Sequence, residues 1–503
     1  MTEVELLLPD GLEPERLAAA VASDGFELVR ADGAGQAHRV YYDTFDGRLR
    51  AAGAPAVHVG GRLLFDSVTA SLQRPLRRVL AEDLPAGPLR ETLGPLIEVR
   101  ALLPLAALDV SEQHLRVLDA EHKTVVRASI ERSALADSGA ALRPRLRLAA
   151  VRGYDAELER VRGALQRELG LERSATGLAD DAVTALGGKP GGFSSKVDVQ
   201  LHFGQRADAA AVAVLRRLLE VIEQNLEGTI EDLDSEFLHD LRVAVRRTRS
   251  VQRQLKRVFP PEELARFRAE FKWLQGVTGE SRDLDVYLLG FEDMRALVPA
   301  SLRDELKPLR HALQTRRAAV REQMVSELRS ERLGALRDRW SALLDQLQTL
   351  PDHDRPDAAE PIGSVSARRI AKVYRKVVHE GRAIAEDGPS KPFHELRKRG
   401  KELRYLLELF GTPLYPHDVV KPMIKTLKGL QDVLGRHQDR EVQVATLSSL
   451  AAALPSEPGP LLATGALIAR LDEDKWAARA DFGRRFGAFA GHEQRQLVKE
   501  TFT

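Results

Sequence analysis

His239, Arg242, Arg246, Arg249 and Arg253 recur at spacings of three and four residues. On an α-helix turning roughly 100° per residue, these five side chains share a stripe about 90° wide. Leu238, Leu241, Val245 and Leu255 fall on the neighbouring face, as a core-facing stripe should. The basic stripe contains no acid. Like charges one helical turn apart repel by about 0.2–0.5 kcal/mol per pair, so such a row is costly without an anionic partner. Guanidinium groups match phosphate oxygens in bidentate geometry. A histidine beside them donates a hydrogen bond and protonates more readily next to a polyanion. The bland alternative is that acids on a neighbouring helix neutralise the stripe.

The same pattern occurs a second time. His394, Arg397, Lys401 and Arg404 match His239, Arg242, Arg246 and Arg249 at an offset of 155 residues. Downstream, KWLQGVTGESRDLDV (272–286) pairs with KGLQDVLGRHQDREV (428–442) at an offset of 156. That alignment matches Lys272 with Lys428, Gln275 with Gln431, Gly279 with Gly435 and Asp283 with Asp439. Two blocks that keep order and spacing indicate an internal duplication. Lys272 with Arg268, and Lys425 with Lys421 and Lys428, are expected to add charge from an adjacent helix. Gly279 and Gly435 are expected to end helices as C-caps. Asp283 and Asp439 are expected to cap or orient the next helix, with metal binding by Asp283 and Asp285 as a weaker reading.

These side chains need elements to hold them. From about residue 207 the chain reads as helix almost throughout, with runs at 207–229, 237–259, 262–276, 301–349, 364–386 and 393–410. The segment PDHDRPDAAEP (351–361) carries three prolines and divides this region into repeats at 207–349 and 364–492, with a connector over 350–363. Residues 1–186 read as a mixed α/β domain. Strands are expected at 4–8, 38–43, 56–65, 96–103, 114–119 and 124–130, and helices at 14–24 and 155–169. The glycine-rich GGKPGG opens a linker over 187–206.

The bulk numbers narrow the function classes. The 503-residue chain has a net charge of +1, split into −4 for residues 1–190 and +5 for the rest. A basic site must therefore come from placement of charge. Cysteine is absent, which removes disulfides, cysteine nucleophiles and cysteine metal sites. The start MTEVELLLPDGLEPER lacks the basic-then-apolar pattern of a secretory leader, and the apolar stretches are too short to span a bilayer. A soluble, cytoplasmic protein with no membrane contact is expected. HELRK (394–398) fails as a zinc motif because Lys398 stands where the second histidine is needed. GGKPGG lacks the spacing of a phosphate-cradling loop.

HDLRVAVRRTRS (239–250), its repeat HELRKRGKELRY (394–405) and the LQxxxG…D segments resemble the CHAD family, the conserved-histidine α-helical domain. The resemblance covers roughly 207–492. It implies two pseudo-symmetric four-helix bundles whose basic helices face a shared groove for inorganic polyphosphate, and an association with polyphosphate granules. On the matching positions the binding residues are His239, Arg242, Arg246, Arg249, His394, Arg397, Lys401 and Arg404. Lys272 and Lys428 are neighbours, and Arg253 and Lys425 extend the basic surface. No cofactor is required for such binding. The second copy carries Lys401 for an arginine and Glu402 where Arg247 stands, so it is expected to bind less strongly.

The N-terminal part resembles the CYTH, or triphosphate-tunnel, domain through Glu3 and Glu5, YYDTFDGRLRAAG (41–53) and the helix after Gly153. That resemblance implies an antiparallel, tunnel-like β-barrel with flanking helices, holding Mg²⁺ or Mn²⁺ if active. Here the pattern is eroded: Leu7 replaces a lysine, APAVHVGG lacks the expected arginines, and Arg145 and Arg147 stand where acids belong. Glu3 and Glu5 alone make a poor metal site. The leading expectation is a non-enzymatic polyphosphate-binding module, open to other phosphate-rich polyanions. The alternatives are a metal-dependent triphosphatase or nucleotide phosphohydrolase acting through the first domain, and nucleic-acid binding. The basic stripes carry few aromatics for base stacking, which disfavours the last.

Overall fold

The computed structural model describes residues 3–385, 388–452, 454 and 456–502; Glu386, the last residue of the 364–386 run, lies outside them. Two compact units form, Met1–Ser195 and Lys196–Thr503.

The first unit is built on one antiparallel sheet. Its strands are β1 (Glu3–Leu7), β2 (Glu27–Thr44), β3 (Ala56–Val59), β4 (Arg62–Phe65), β5 (Val68–Ser71), β6 (Leu102–Leu118), β7 (Thr124–Leu135), β8 (Arg145–Ala150) and β9 (Glu172–Arg173). Their order is β5-β4-β3-β2-β6-β7-β8-β1-β9. Five helices accompany them: α1 (Pro14–Ala22), α2 (Arg48–Ala51), α3 (Pro88–Ile97), α4 (Asp155–Leu169) and α5 (Leu178–Ala185). Leu17 and Val21 of α1 and Leu158, Val161 and Leu165 of α4 pack on apolar residues of β1, β7 and β8.

Three local expectations are corrected. The sheet is not closed into a barrel, because β5 and β9 are its free ends. Closure needs a continuous ladder, and strands of four and two residues offer little to zip together. The single strand expected over 56–65 is a hairpin. Gly60 and Gly61 both adopt positive φ, as a tight two-residue turn requires. The strand expected over 96–103 is the end of α3 followed by the start of β6.

The second unit is helical. Its helices are α6 (Ala207–Glu231), α7 (Ser235–Gln254), α8 (Pro261–Val277), α9 (Gly279–Leu289), α10 (Phe291–Ala296), α11 (Lys307–Leu328), α12 (Glu331–Gln346), α13 (Ile362–Arg382), α14 (Ser390–Leu406), α15 (Thr412–Leu414), α16 (His417–Ala451), α17 (Pro458–Phe489) and α18 (His492–Phe502). One bundle combines α6, α7, α8 and α12. Trp340 sits at its centre, 4.8 Å from the Phe267 ring and 5.3 Å from Phe271. A second combines α13, α14, α16, α17 and α18, with Phe393 against Phe482 and Tyr374 against Phe489. A further core lies beyond them. There Tyr287, Phe291, Leu309 and Leu313 meet Leu447, Leu467 and Leu471, joining α9–α11 to the distal parts of α16 and α17.

The proline-rich connector is packed. Arg355 within it is buried and donates to the backbone oxygens of Leu347 (2.8 Å) and Pro351 (3.1 Å). No helix of the described residues is long and apolar enough to cross a membrane.

Candidate anion-binding groove

The local sequence fixes how α7 presents its stripe. Asp234 is the N-cap, accepting from the backbone N–H of Glu236 (2.8 Å) and Phe237 (3.2 Å). The Phe237 ring lies where a Cβ on Gly228 of α6 would stand, so the two helices meet closely at that end. Leu238, Leu241, Val245 and Leu255 are buried, as their spacing predicts. That leaves the basic face toward a groove of about 870 Å³ lined mainly by α7, α9, α14 and α16.

The groove brings together His239, Arg242, Arg246, Arg249 and Arg253 from the first copy and His394, Arg397 and Lys401 from the second. Lys272, Arg404, Lys425 and Lys428 do not line it. Lys272, Lys425 and Lys428 are exposed elsewhere on their helices. Arg404 turns to Glu408 (Nε to Oε1, 2.6 Å) and to Gln431 (3.4 Å). Arg253 lines the groove but is ion-paired with Glu402. Arg246 and Lys401 have no hydrogen-bond or ion-pair partner among the described residues, and Arg246 keeps a buried Nε–H unsatisfied.

The second block of the repeat exists to hold the first. Arg242 donates to the backbone oxygen of Gln275 (3.1 Å) and to the Thr278 hydroxyl (2.9 Å), while Arg249 donates to the Gln275 side chain. The duplicate repeats one of these contacts, Arg404 to Gln431, and changes the other: Arg397 pairs with Asp439 at 3.0 Å. Gly279 and Gly435 are not C-caps. Gly279 opens α9 and Gly435 lies inside α16. A Cβ on Gly279 would stand 3.7 Å from Arg242 Nη1, and one on Gly435 would stand 4.0 Å from Arg397 Nε. The glycines thus flank the equivalent arginines. Asp283 and Asp439 line the groove rather than capping a helix. Asp285 instead bonds Arg317 at 2.5 Å, and residues two apart on a helix point apart, so Asp283 and Asp285 form no metal pair.

Arg282 is a groove residue that pattern matching misses, because its equivalent is Gln438 and not a second arginine. Its guanidinium lies 3.1 Å from His239 Nδ1 and 3.3 Å from Glu236. Arginine only donates, so Nδ1 accepts and the His239 proton sits on Nε2. Glu236, His239 and Asp240 could together surround a metal ion, their ligand atoms lying within 4.8 Å of one another. Arg282 supplies positive charge to that cluster already. In the duplicate, His394 Nδ1 donates to Gln438 Oε1 at 2.5 Å.

Clustering of cations shows in their proton affinities. Burial pushes the Lys401 ammonium down to about 7, and repulsion from Arg397 and Arg246 acts in the same direction. Burial, then Arg246 and Arg282, push Arg242 down to about 10, against the pull of Asp283. Protein flanking the Asp283 carboxyl strips it of water and pushes it up, with Asp439 and Glu280 adding repulsion.

The acidic pair at the start of the first unit has a different fate. Glu3 is exposed on β1. Both oxygens of Glu5 accept from guanidinium groups, Arg145 at 2.5 Å and Arg147 at 2.8 Å. Nearby, the buried Glu131 accepts from Arg39 at 2.8 Å. This donor set does not fit a divalent ion: the carboxylates are neutralised by fixed cations that a metal would have to displace.

Residues 213–448 match the model of the CHAD domain. This stretch of the chain is a CHAD domain. Two relatives from strains of Mycobacterium tuberculosis, Uncharacterized protein MT2285 and Uncharacterized protein Rv2226, are each 25% identical over 302 residues. The match takes in 58% of this chain and 56% of each relative, so the chain spans little more than half their length. Among solved structures, the CHAD domain from the plant Ricinus communis is 26% identical, with a TM-score of 0.49 over 59% of this chain and 96% of that one. PptA from Streptomyces chartreusis is 17% identical, with a TM-score of 0.44 over 56% and 99%. The groove is built from both halves of the CHAD domain, since its lining runs from His239 to Gln443.

Proposed function

We propose that the CHAD domain binds inorganic polyphosphate in the groove between α7 and α14, and that this binding brings the protein to polyphosphate granules in the cytoplasm. CHAD is a family linked to polyphosphate binding. The observation that carries the reading is the meeting of Arg246 and Lys401. They are equivalent positions of the two repeats, they repel each other, and neither has a hydrogen-bond or ion-pair partner among the described residues, Asp439 and Asp283 acting on them only at longer range. A chain of phosphates supplies many oxygens in a row and needs no base or sugar recognition. Arg242, Arg249 and Arg397 are held by uncharged groups or by one exposed aspartate, which leaves guanidinium N–H groups free to turn to phosphate.

Affinity then arises largely from counterion release and falls steeply with salt. Arg242→Glu with Arg246→Glu should abolish retention of polyphosphate at physiological salt while far-UV circular dichroism stays helical. Wild-type retention in that double variant would sink the reading. Competition against DNA at the same salt separates polyphosphate from nucleic acid.

A further inference from the structure

Part of the groove lining has no use for polyphosphate. Val286 on α9 and Val442 on α16 both line it, and they stay 46% and 38% exposed. They are equivalent positions of the two repeats, 156 residues apart. One exposed valine means little, but the duplication presents two in a single groove. A chain of phosphates has no apolar part to cover them, whereas a ligand that did cover them would gain by removing their surface from water.

Each valine has an acid three residues before it on the same helical face, Asp283 and Asp439, and both acids line the groove. Asp439 is taken by Arg397 at 3.0 Å. Asp283 is exposed and has no hydrogen-bond or ion-pair partner among the described residues. A carboxylate and an ionised phosphate oxygen both only accept hydrogen bonds, so Asp283 repels polyphosphate and suits a ligand group with N–H donors.

One ligand class satisfies the cations, the valines and the free carboxylate together. A nucleotide carries phosphates at one end and, at the other, a flat base with apolar faces and a hydrogen-bonding edge. Of the common bases, guanine alone has two adjacent donors on that edge, N1–H and the 2-amino group, matching the two oxygens of a carboxylate. The groove, at about 870 Å³, has the size of a small-molecule site. We propose that it takes guanine nucleotides as well as polyphosphate, with the phosphates on Arg246 and Lys401, the base against Val286 and Val442, and the base edge on Asp283. Nucleotide and polyphosphate then compete for the same cations. The proposal rests on the reading of the groove given above.

The test measures displacement of labelled polyphosphate from the full chain, in magnesium-free buffer at fixed salt, by GTP, xanthosine triphosphate and tripolyphosphate. Tripolyphosphate carries at least the charge of GTP and lacks the base, so a preference for GTP reports the base. Wild type should bind GTP about tenfold tighter than tripolyphosphate. Val286→Ser with Val442→Ser should bring GTP down to the level of tripolyphosphate, itself held within about twofold of wild type. Asp283→Asn replaces an acceptor by a donor. It should lose about tenfold for GTP and gain for xanthosine triphosphate, whose base has a carbonyl where guanine has the 2-amino group. Asp439→Asn makes the same charge change at the equivalent position and should favour all three ligands alike. The base site is overturned, and the groove reading stands, if wild type binds tripolyphosphate as tightly as GTP, or if Asp283→Asn moves GTP and xanthosine triphosphate in the same direction. Arg246→Glu with Lys401→Glu should lose every ligand; wild-type binding of polyphosphate by that variant overturns the groove reading and the base site with it.

Discussion

Lys401 is a groove residue on which pH acts. Burial, then Arg397 and Arg246, push its ammonium down to about 7 against the pull of Asp439, and a polyanion beside it favours the charged form. Binding therefore takes up protons, and affinity should fall as pH rises above about 7. Titration calorimetry in buffers of different ionisation enthalpy would count those protons. Lys401→Arg should remove the dependence, and its persistence in that variant would assign it to another group. The unbound protein should behave in the opposite sense. A lysine whose folded pKa is depressed binds fewer protons folded than unfolded, so stability should rise with pH from about 7 toward the ordinary lysine range. At this scale the sequence was informative about residue type and poor about pairing. Arg246 and Arg253 sit on the same stripe, yet only Arg253 meets an acid, because Glu402 comes from another helix and its reach depends on how the two helices cross.

Helix α7 crosses α14 and the helical turn that follows it (Leu407–Gly411) with their charges interlocked. Arg247 pairs with Glu408 at 2.9 Å and Arg253 pairs with Glu402, each bond joining one repeat to the other. In the alignment Glu402 replaces Arg247 and Glu408 replaces Arg253. What reads in the sequence as loss of basic character in the second copy is, in the fold, the complement of the first. Glu402→Arg should cost about 1–3 kcal/mol, since it leaves cations facing each other around a buried position. Combining it with Arg253→Glu should recover part of the loss, measured as a coupling energy by chemical denaturation. Asp234→Ala should cost about 1 kcal/mol by removing the cap that starts α7. Helix positions were legible because their apolar residues keep a strict period. The break between α11 and α12 was not, since no proline or glycine marks residues 329 and 330. The roles of Gly279 and Gly435 were also hidden: a glycine that flanks an arginine from another helix looks, along the chain, like a glycine that ends its own.

For the whole molecule, every residue of the groove lies within Lys196–Thr503. That fragment should bind polyphosphate with the affinity and salt slope of the full chain, and a large deficit would show that Met1–Ser195 takes part. In the first unit, Glu5→Ala removes one partner of Arg147, which keeps Glu131 at 4.0 Å, and one partner of the buried Arg145. It should lower the melting temperature of that unit while leaving polyphosphate binding unchanged. Phosphate release from tripolyphosphate with Mg²⁺ or Mn²⁺ that disappeared in this variant would revive the hydrolase alternative. Parts of the sheet were visible in the sequence, in β1, β2, β6 and β7, but β5, β8, β9 and the sheet's failure to close were not. Alternation reports which face of a strand is buried, whereas closure depends on whether the two outermost strands can reach and pair.

The crossed ion pairs carry a further consequence. Suppose the first half met a second copy of itself in the same geometry: Arg247 would oppose Arg253 and Arg253 would oppose Arg247. Two second halves would set Glu402 against Glu408 in the same way. Only unlike halves attract at this crossing. The chain therefore carries its own rule of partnership, under which exchange of halves between two molecules must still join one of each kind, and self-association of like halves is opposed wherever the crossing is tried.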